Sequence, residues 1–150
     1  MNYRTFPKNK ELSVSEVGFG VWSVATKWWG VTEEKLSLSL LHHAFDVGIN
    51  FYDTADIYGN GYGEEVLAKA FPKYRDKRIY ATKFGYDIYS NAGERKGHSE
   101  MPQKFSAKDV RFSCEQSLKR LSTDYIDIYQ LHNPLMDFIN NDEVLETLEK

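Results

Sequence analysis

The sequence predicts an α/β fold: the N-terminal part of a (β/α)8 TIM barrel, with an opening hairpin followed by about the first four βα units. Three observations carry this expectation. Short apolar runs alternate with stretches of helical periodicity along the chain, the order of a parallel sheet with helical crossovers. Three of the runs deliver a polar residue at their end, namely Asp53, Lys83 and His132. In a parallel barrel the ends of different strands converge on one rim, where the chemistry sits. Finally, the four units occupy 150 residues, whereas a complete barrel takes about 250. Residues 1–150 therefore read as the N-terminal half of a single barrel domain, with the C-terminal half outside this chain.

The elements follow in order. Residues 3–6 and 12–15 flank a polar turn at 8–10, the pattern of a small hairpin. Residues 17–22 form an apolar strand with glycines near its end. Thr32 is a candidate N-cap, with Glu33 and Glu34 in the first turn, where the helix dipole favours acids. Leu36, Leu40, Ala44 and Val47 recur at helical spacing, and Gly48 suits the position after the helix. A strand over 49–53, a short helix over 64–71 closed off by Pro72, and a strand over 78–83 come next. The connection 85–105 is long, polar and rich in mixed charge. Leaving the rim directly after Lys83, it is expected to act as a mobile flap over substrate access. Ser106 and Asp109 make a capping pair for a helix over 106–121, with Val110, Cys114, Leu118 and Leu121 as its inner stripe. A strand over 125–131 and a helix starting at 142 complete the chain.

Composition narrows the function classes. Apolar residues at 41% and charged residues at 27% describe an ordinary soluble globular protein, and aromatics at 15% favour a pocket or a strand-rich core. A formal charge of −3 gives no electrostatic case for nucleic acid or an anionic membrane. No apolar stretch approaches the roughly 20 residues needed to span a bilayer, and the N-terminus lacks a signal-peptide core. The single Cys114 rules out an internal disulfide and fits a cytoplasmic location.

Alternation along each strand puts every second side chain on one face. Asp53 then shares a face with Phe51 and Ile49, Lys83 with Ala81 and Ile79, and His132 with Gln130, Ile128 and Ile126. Each polar residue tops a largely apolar column. If the columns face one interior, Asp53 and Lys83 can pair, and an ammonium beside Tyr58 would favour its phenolate form. An acid, an ammonium, a phenol and an imidazole gathered this way make a proton-transfer site. The bland alternative has Asp53 capping a turn, Lys83 solvated and His132 packed near Pro134. Each is reasonable alone; the coincidence at three strand ends favours the site. The glycines at 59, 61 and 63 match neither a dinucleotide fingerprint nor a P-loop, and read as a tight turn. His42 and His43 point about 100° apart on a helix and cannot share a metal. Asp53, Asp56 and His132 could in principle hold a divalent ion, but Lys83 on the same rim argues against one, and no metal is expected. Trp22, Trp28 and Trp29 are either core or the wall of a substrate pocket.

The run Asp53-Thr54-Ala55-Asp56-Ile57-Tyr58-Gly59, with Gly61 and Glu64 following, resembles the first signature of the aldo-keto reductases. Ala81-Thr82-Lys83 is similar to the segment that carries that family's lysine, and LSTDYIDIYQLHNP over 121–134 to its histidine segment. The resemblance extends from about Tyr3 to the end of the chain. It implies a barrel that uses NADPH, less often NADH, to reduce aldehydes and ketones, a small-molecule carbonyl being the substrate. It also implies roles. Tyr58 is the general acid, Lys83 lowers its pKa, Asp53 pairs with Lys83, and His132 orients the carbonyl. Gly20, Val21, Trp22 and Asp53 would lie against the nicotinamide. Val21 stands where relatives often have Thr, so a hydrogen bond from that side chain is missing. In this family the second half of the barrel supplies most cofactor contacts, so residues 1–150 alone are expected to be inactive. Two other readings remain open: a Schiff-base aldolase using Lys83, and a non-catalytic cofactor-sensing or scaffold subunit.

Overall fold

The computed structural model describes residues 1–90 and 101–150. Residues 91–100 of the expected 85–105 flap thus lie outside the described residues. Its two roots are described, and an antiparallel bridge between Tyr86 and Gln103 joins them.

The chain opens with an antiparallel hairpin of β1 (Tyr3–Phe6) and β2 (Asn9–Ser15), as the sequence pattern predicts. Asn50 fastens the hairpin to the main sheet: its side-chain oxygen accepts from the Ser15 N–H at 2.7 Å and its amide donates to the Ser13 carbonyl at 2.9 Å. The main sheet has four parallel strands in sequential order: β3 (Phe19–Gly20), β4 (Phe51–Asp53), β5 (Ile79–Phe84) and β6 (Ile128–Leu131). Between and after them come α1 (Trp22–Ala25), α2 (Glu34–Asp46), α3 (Tyr62–Ala70), α4 (Ala107–Leu121), α5 (Met136–Ile139) and α6 (Asp142–Leu148). Among the described residues no helix is long and apolar enough to cross a membrane.

The two faces of the sheet differ. Tyr52, Tyr80 and Phe84 are buried and pack with Leu41, Val66, Leu67 and Leu121 in one cluster and with Phe105, Val110 and Val144 in another, so this face is covered by helices. The alternate residues Phe51, Asp53, Ile79, Lys83, Ile128 and Gln130 are only half-buried. Register places Gly20 beside Asp53, Asp53 beside Ala81, and Lys83 beside Gln130. The expected inward columns therefore exist and line up.

Several boundaries depart from the sequence-based expectation. The run 17–22 is a strand for two residues only. At Val21 the backbone N–H donates to the Asp53 carbonyl at 2.8 Å, the chain turns, and Trp22 opens α1. Thr32 is not a cap: α2 starts after Glu33 with no side-chain cap. Its buried face is Ser37, Leu41 and Ala44, whereas Leu36 and Leu40 are 46% and 36% exposed. The buried stripe runs through Leu41 and Ala44, with Leu38 and Phe45 packed beside them on the core cluster, and the Ser37 hydroxyl donates to the Val24 carbonyl of α1 at 3.1 Å. Gly48 adopts φ +94° after α2, as its position required. The Ser106–Asp109 capping box forms in full, but Ser113 and Ser117 take inner positions on α4 while Cys114 is only half-buried.

Candidate active site

Lys83 is the hub. From the half-buried face of β5 its ammonium donates to Asp53 Oδ1 at 2.5 Å, to the Thr54 carbonyl at 2.8 Å and to the Tyr58 hydroxyl oxygen at 3.3 Å. An ammonium has three protons, and three oxygens receive them. Asp53 reaches it from the end of the neighbouring strand β4, so the sheet itself sets the pair.

Tyr58 arrives from the loop after β4. Backbone bonds hold that loop to the top of β5: the Thr54 N–H donates to the Ala81 carbonyl and the Asp56 N–H to the Lys83 carbonyl. Beyond Tyr58 the chain needs glycine. Gly59 has φ +62°, and a Cβ there would lie 2.6 Å from the Ala25 carbonyl oxygen. The glycine run is the tight turn the sequence pointed to, not a phosphate loop.

His132 follows β6 directly, its N–H bonded to the Phe84 carbonyl at 2.8 Å. Its ring stands between two tyrosines, 5.7 Å from Tyr58 and 5.0 Å from Tyr86 by ring centroids. A cleft of about 830 Å³ opens over Tyr58 and His132. Trp22 and Trp28 form one wall, with Trp22 edge-on to Trp28 at 5.9 Å and to Trp29 at 5.5 Å. Trp28 and Trp29 are 69% and 61% exposed. Trp22 and Trp28 are pocket wall rather than core, and Trp29 packs on Trp22 outside the lining.

A model of the Aldo/keto reductase family matches residues 16–150. The chain belongs to the aldo/keto reductase family. A Bacillus subtilis aldo-keto reductase, YhdN, is 39% identical over 141 residues, covering 91% of this chain and 40% of its own length. A fission-yeast aldo-keto reductase named as NADP(+)-linked, yakc from Schizosaccharomyces pombe, is 36% identical over 122 residues, covering 80% and 34%. Among solved structures, the holo form of the aldo-keto reductase AKR11C1 from Bacillus halodurans superposes with TM-score 0.82 at 34% identity, over 99% of this chain and 45% of that one. The chain thus spans about two-fifths of the length of its curated relatives. The aldo/keto reductase neighbours are (β/α)8 barrels, and the hairpin and four-stranded parallel sheet are the corresponding part of one.

All four residues predicted for the chemistry converge: Asp53, Tyr58 and Lys83 by direct contact, His132 through its ring beside Tyr58. Of the residues expected at the cofactor, Gly20, Trp22 and Asp53 have accessible surface, whereas Val21 has none and sits in the core beneath them. Among the described residues no group of three or more His, Cys, Asp or Glu could hold a metal ion. Sequence reasoning missed Thr54, whose carbonyl holds Lys83, and Tyr86, which flanks His132. It also missed a buried polar layer behind the site, in which Glu64 accepts from the Thr82 hydroxyl and from Arg120, each at 2.6 Å. A helical first-turn glutamate normally reads as solvated, and Glu64 stands out only by its place in the signature run and its glycine-rich neighbours. Asp56 lies in this layer, fully buried with neither carboxylate oxygen hydrogen-bonded among the described residues. Burial, with the negative Glu64 nearby, pushes its carboxyl up to about 7.

Proposed function

We propose that the full-length protein reduces aldehydes or ketones to alcohols with a nicotinamide cofactor, NADPH by preference and NADH second. The observation that supports this reading most is the Lys83 ammonium in contact with both Asp53 and the Tyr58 hydroxyl at the edge of an aromatic cleft. The NADP(+) in the name of the fission-yeast relative supports the cofactor.

The residues present fit such a cofactor. Gly20 has open space where a side chain would stand, directly beside Asp53 in the sheet, which leaves room for a flat ring. Gly20, Trp22 and Asp53 would border that ring, with Val21 supporting them from below. When bound, the nicotinamide supplies the hydride that adds to the carbonyl carbon. Tyr58 gives its hydroxyl proton to the carbonyl oxygen, and the Lys83 ammonium stabilises the negative charge left on the phenol oxygen. Asp53 keeps Lys83 aimed at that oxygen. His132, its ring beside Tyr58, orients the carbonyl, and solvent returns the proton to Tyr58. A Schiff-base aldolase would need Lys83 as a free amine, whereas it donates to three oxygens. The single cysteine fits a cytoplasmic setting.

Tyr58→Phe tests the reading. It keeps the ring against Trp22 and His132 and removes the proton. Turnover of simple aldehydes should fall by about 10² to 10⁴, while cofactor affinity, followed by NADPH fluorescence, stays nearly unchanged. Near-normal turnover would remove Tyr58 from the acid role. Cofactor binding with no turnover of any carbonyl by the parent would favour a sensing or scaffold subunit.

A further inference from the structure

The Lys83–Tyr58 contact is made between a strand and a loop, so something must fix the two against each other. Tyr58 itself is gripped at its backbone: its carbonyl accepts from the Gly63 N–H at 2.9 Å, in the first turn of α3. A Cβ at Gly63 would fall 2.6 Å from Thr54 Oγ1 and 3.2 Å from Tyr58 Cβ, so α3 sits directly on the loop. The next residue, Glu64, is fully buried. One carboxylate oxygen accepts from Thr82, which precedes Lys83 and points to the opposite face of β5; the other accepts from Arg120 on α4. Arg120 also lies over the loop, because a Cβ on Gly61 would meet its Cδ at 2.6 Å and its Nε at 2.9 Å. A second arm of the guanidinium donates to the Tyr89 hydroxyl at 3.2 Å.

We propose that Glu64 and Arg120 are positioning residues that set the Tyr58–Lys83 spacing from behind the strand, through Thr82 on one side and the 59–63 turn on the other. The proposal rests on the carbonyl-reduction reading for its kinetic consequence, but not for the geometry. Gly59, Asn60 and Tyr62 of the turn border the cleft, whereas Glu64, Thr82 and Arg120 stand outside its lining. Their effect on the reaction passes through the placement of the Tyr58 hydroxyl. A displacement of about 1 Å in a reacting group can lower a rate on the order of 10²-fold, so even a partial loosening should be measurable.

Thr82→Val in the full-length protein tests this, since it keeps the β-branched shape and removes the hydroxyl. Expected are a fall in kcat of about tenfold with cofactor affinity within twofold, a displaced pH profile of kcat, and recovery in Thr82→Ser. In a Tyr58→Phe background Thr82→Val should cost nothing further, because there is no longer a hydroxyl to place. An equal loss in both backgrounds would mark the hydroxyl as merely structural and overturn the proposal, as would unchanged kcat in Thr82→Val. The geometry is read separately by the 13Cζ resonance of labelled Tyr58, which should move in Thr82→Val and return in Thr82→Ser. If Tyr58→Phe retains turnover, carbonyl reduction by Tyr58 fails while that resonance still judges the clamp. A resonance that does not move would sink the clamp whatever the kinetics show.

Discussion

Two carboxylates within the Asp53–Glu64 stretch have opposite environments, and their partners explain why. Asp53 meets the Lys83 ammonium at the rim, where the opposite charge stabilises it. The Asp56 carboxyl is buried with neither oxygen hydrogen-bonded among the described residues, and burial and then Glu64 push it up to about 7. An unfolded Asp titrates near 4. The folded state therefore holds this proton more tightly, and from about pH 4 to 7 stability falls as pH rises. Above about 7 the penalty is complete. Asp56→Asn cannot ionise, so its melting temperature relative to the parent should climb from pH 5 to pH 8. The gain at pH 8 should be on the order of 2–4 kcal/mol, given about 1.4 kcal/mol per unit of displacement. A constant difference across that range would mean that Asp56 does not titrate there.

At the scale of elements, α2 offers the sharpest contrast. Leu40 and Leu41 are neighbours, yet Leu41 is fully buried in the main cluster and Leu40 is exposed. Leu41→Ala should destabilise by about 2–5 kcal/mol, and Leu40→Ala by less than about 1 kcal/mol. Equal costs in urea unfolding would restore the stripe expected from spacing alone. Gly63→Ala makes a second case: helix propensity alone would favour Ala by about 1 kcal/mol, but the clash with Thr54 and Tyr58 should reverse the sign. These are the places where the sequence misled or was silent. The strand ends were legible because alternation and polar termination are local signals, and Asp53, Lys83 and His132 follow from them directly. The phase of α2 was not legible, because Leu38, Leu41 and Phe45 repeat at helical spacing as well as Leu36 and Leu40 do, and only the tertiary packing chooses between the two stripes. The start of α1 was hidden likewise: Val21 bonds across to Asp53, so a run that reads as strand turns early. The Glu64–Arg120 pair spans 56 positions, beyond any periodicity.

For the whole molecule, the uneven burial of the sheet has a consequence. Parallel sheets are covered on both faces in stable folds, and here helices cover one face while Phe51, Ile79 and Ile128 on the other stay half-exposed. The outer strands β3 and β6 also leave open edges in the described sheet. Residues 1–150 expressed alone should therefore self-associate, and sedimentation velocity should show dimers or larger species without carbonyl reduction. A monomer that binds NADPH at micromolar concentration would contradict this. The proposed work of the Asp53, Tyr58, Lys83 and His132 constellation is hydride transfer to a carbonyl. It is tested most directly by giving the full-length protein an aldehyde with NADPH carrying deuterium at the transferring C4 position, then locating the label. One deuterium is expected on the carbinol carbon for each NADPH consumed, and no adduct on Lys83 when borohydride is added. Alcohol formed without the label, or substrate trapped on Lys83, would contradict it.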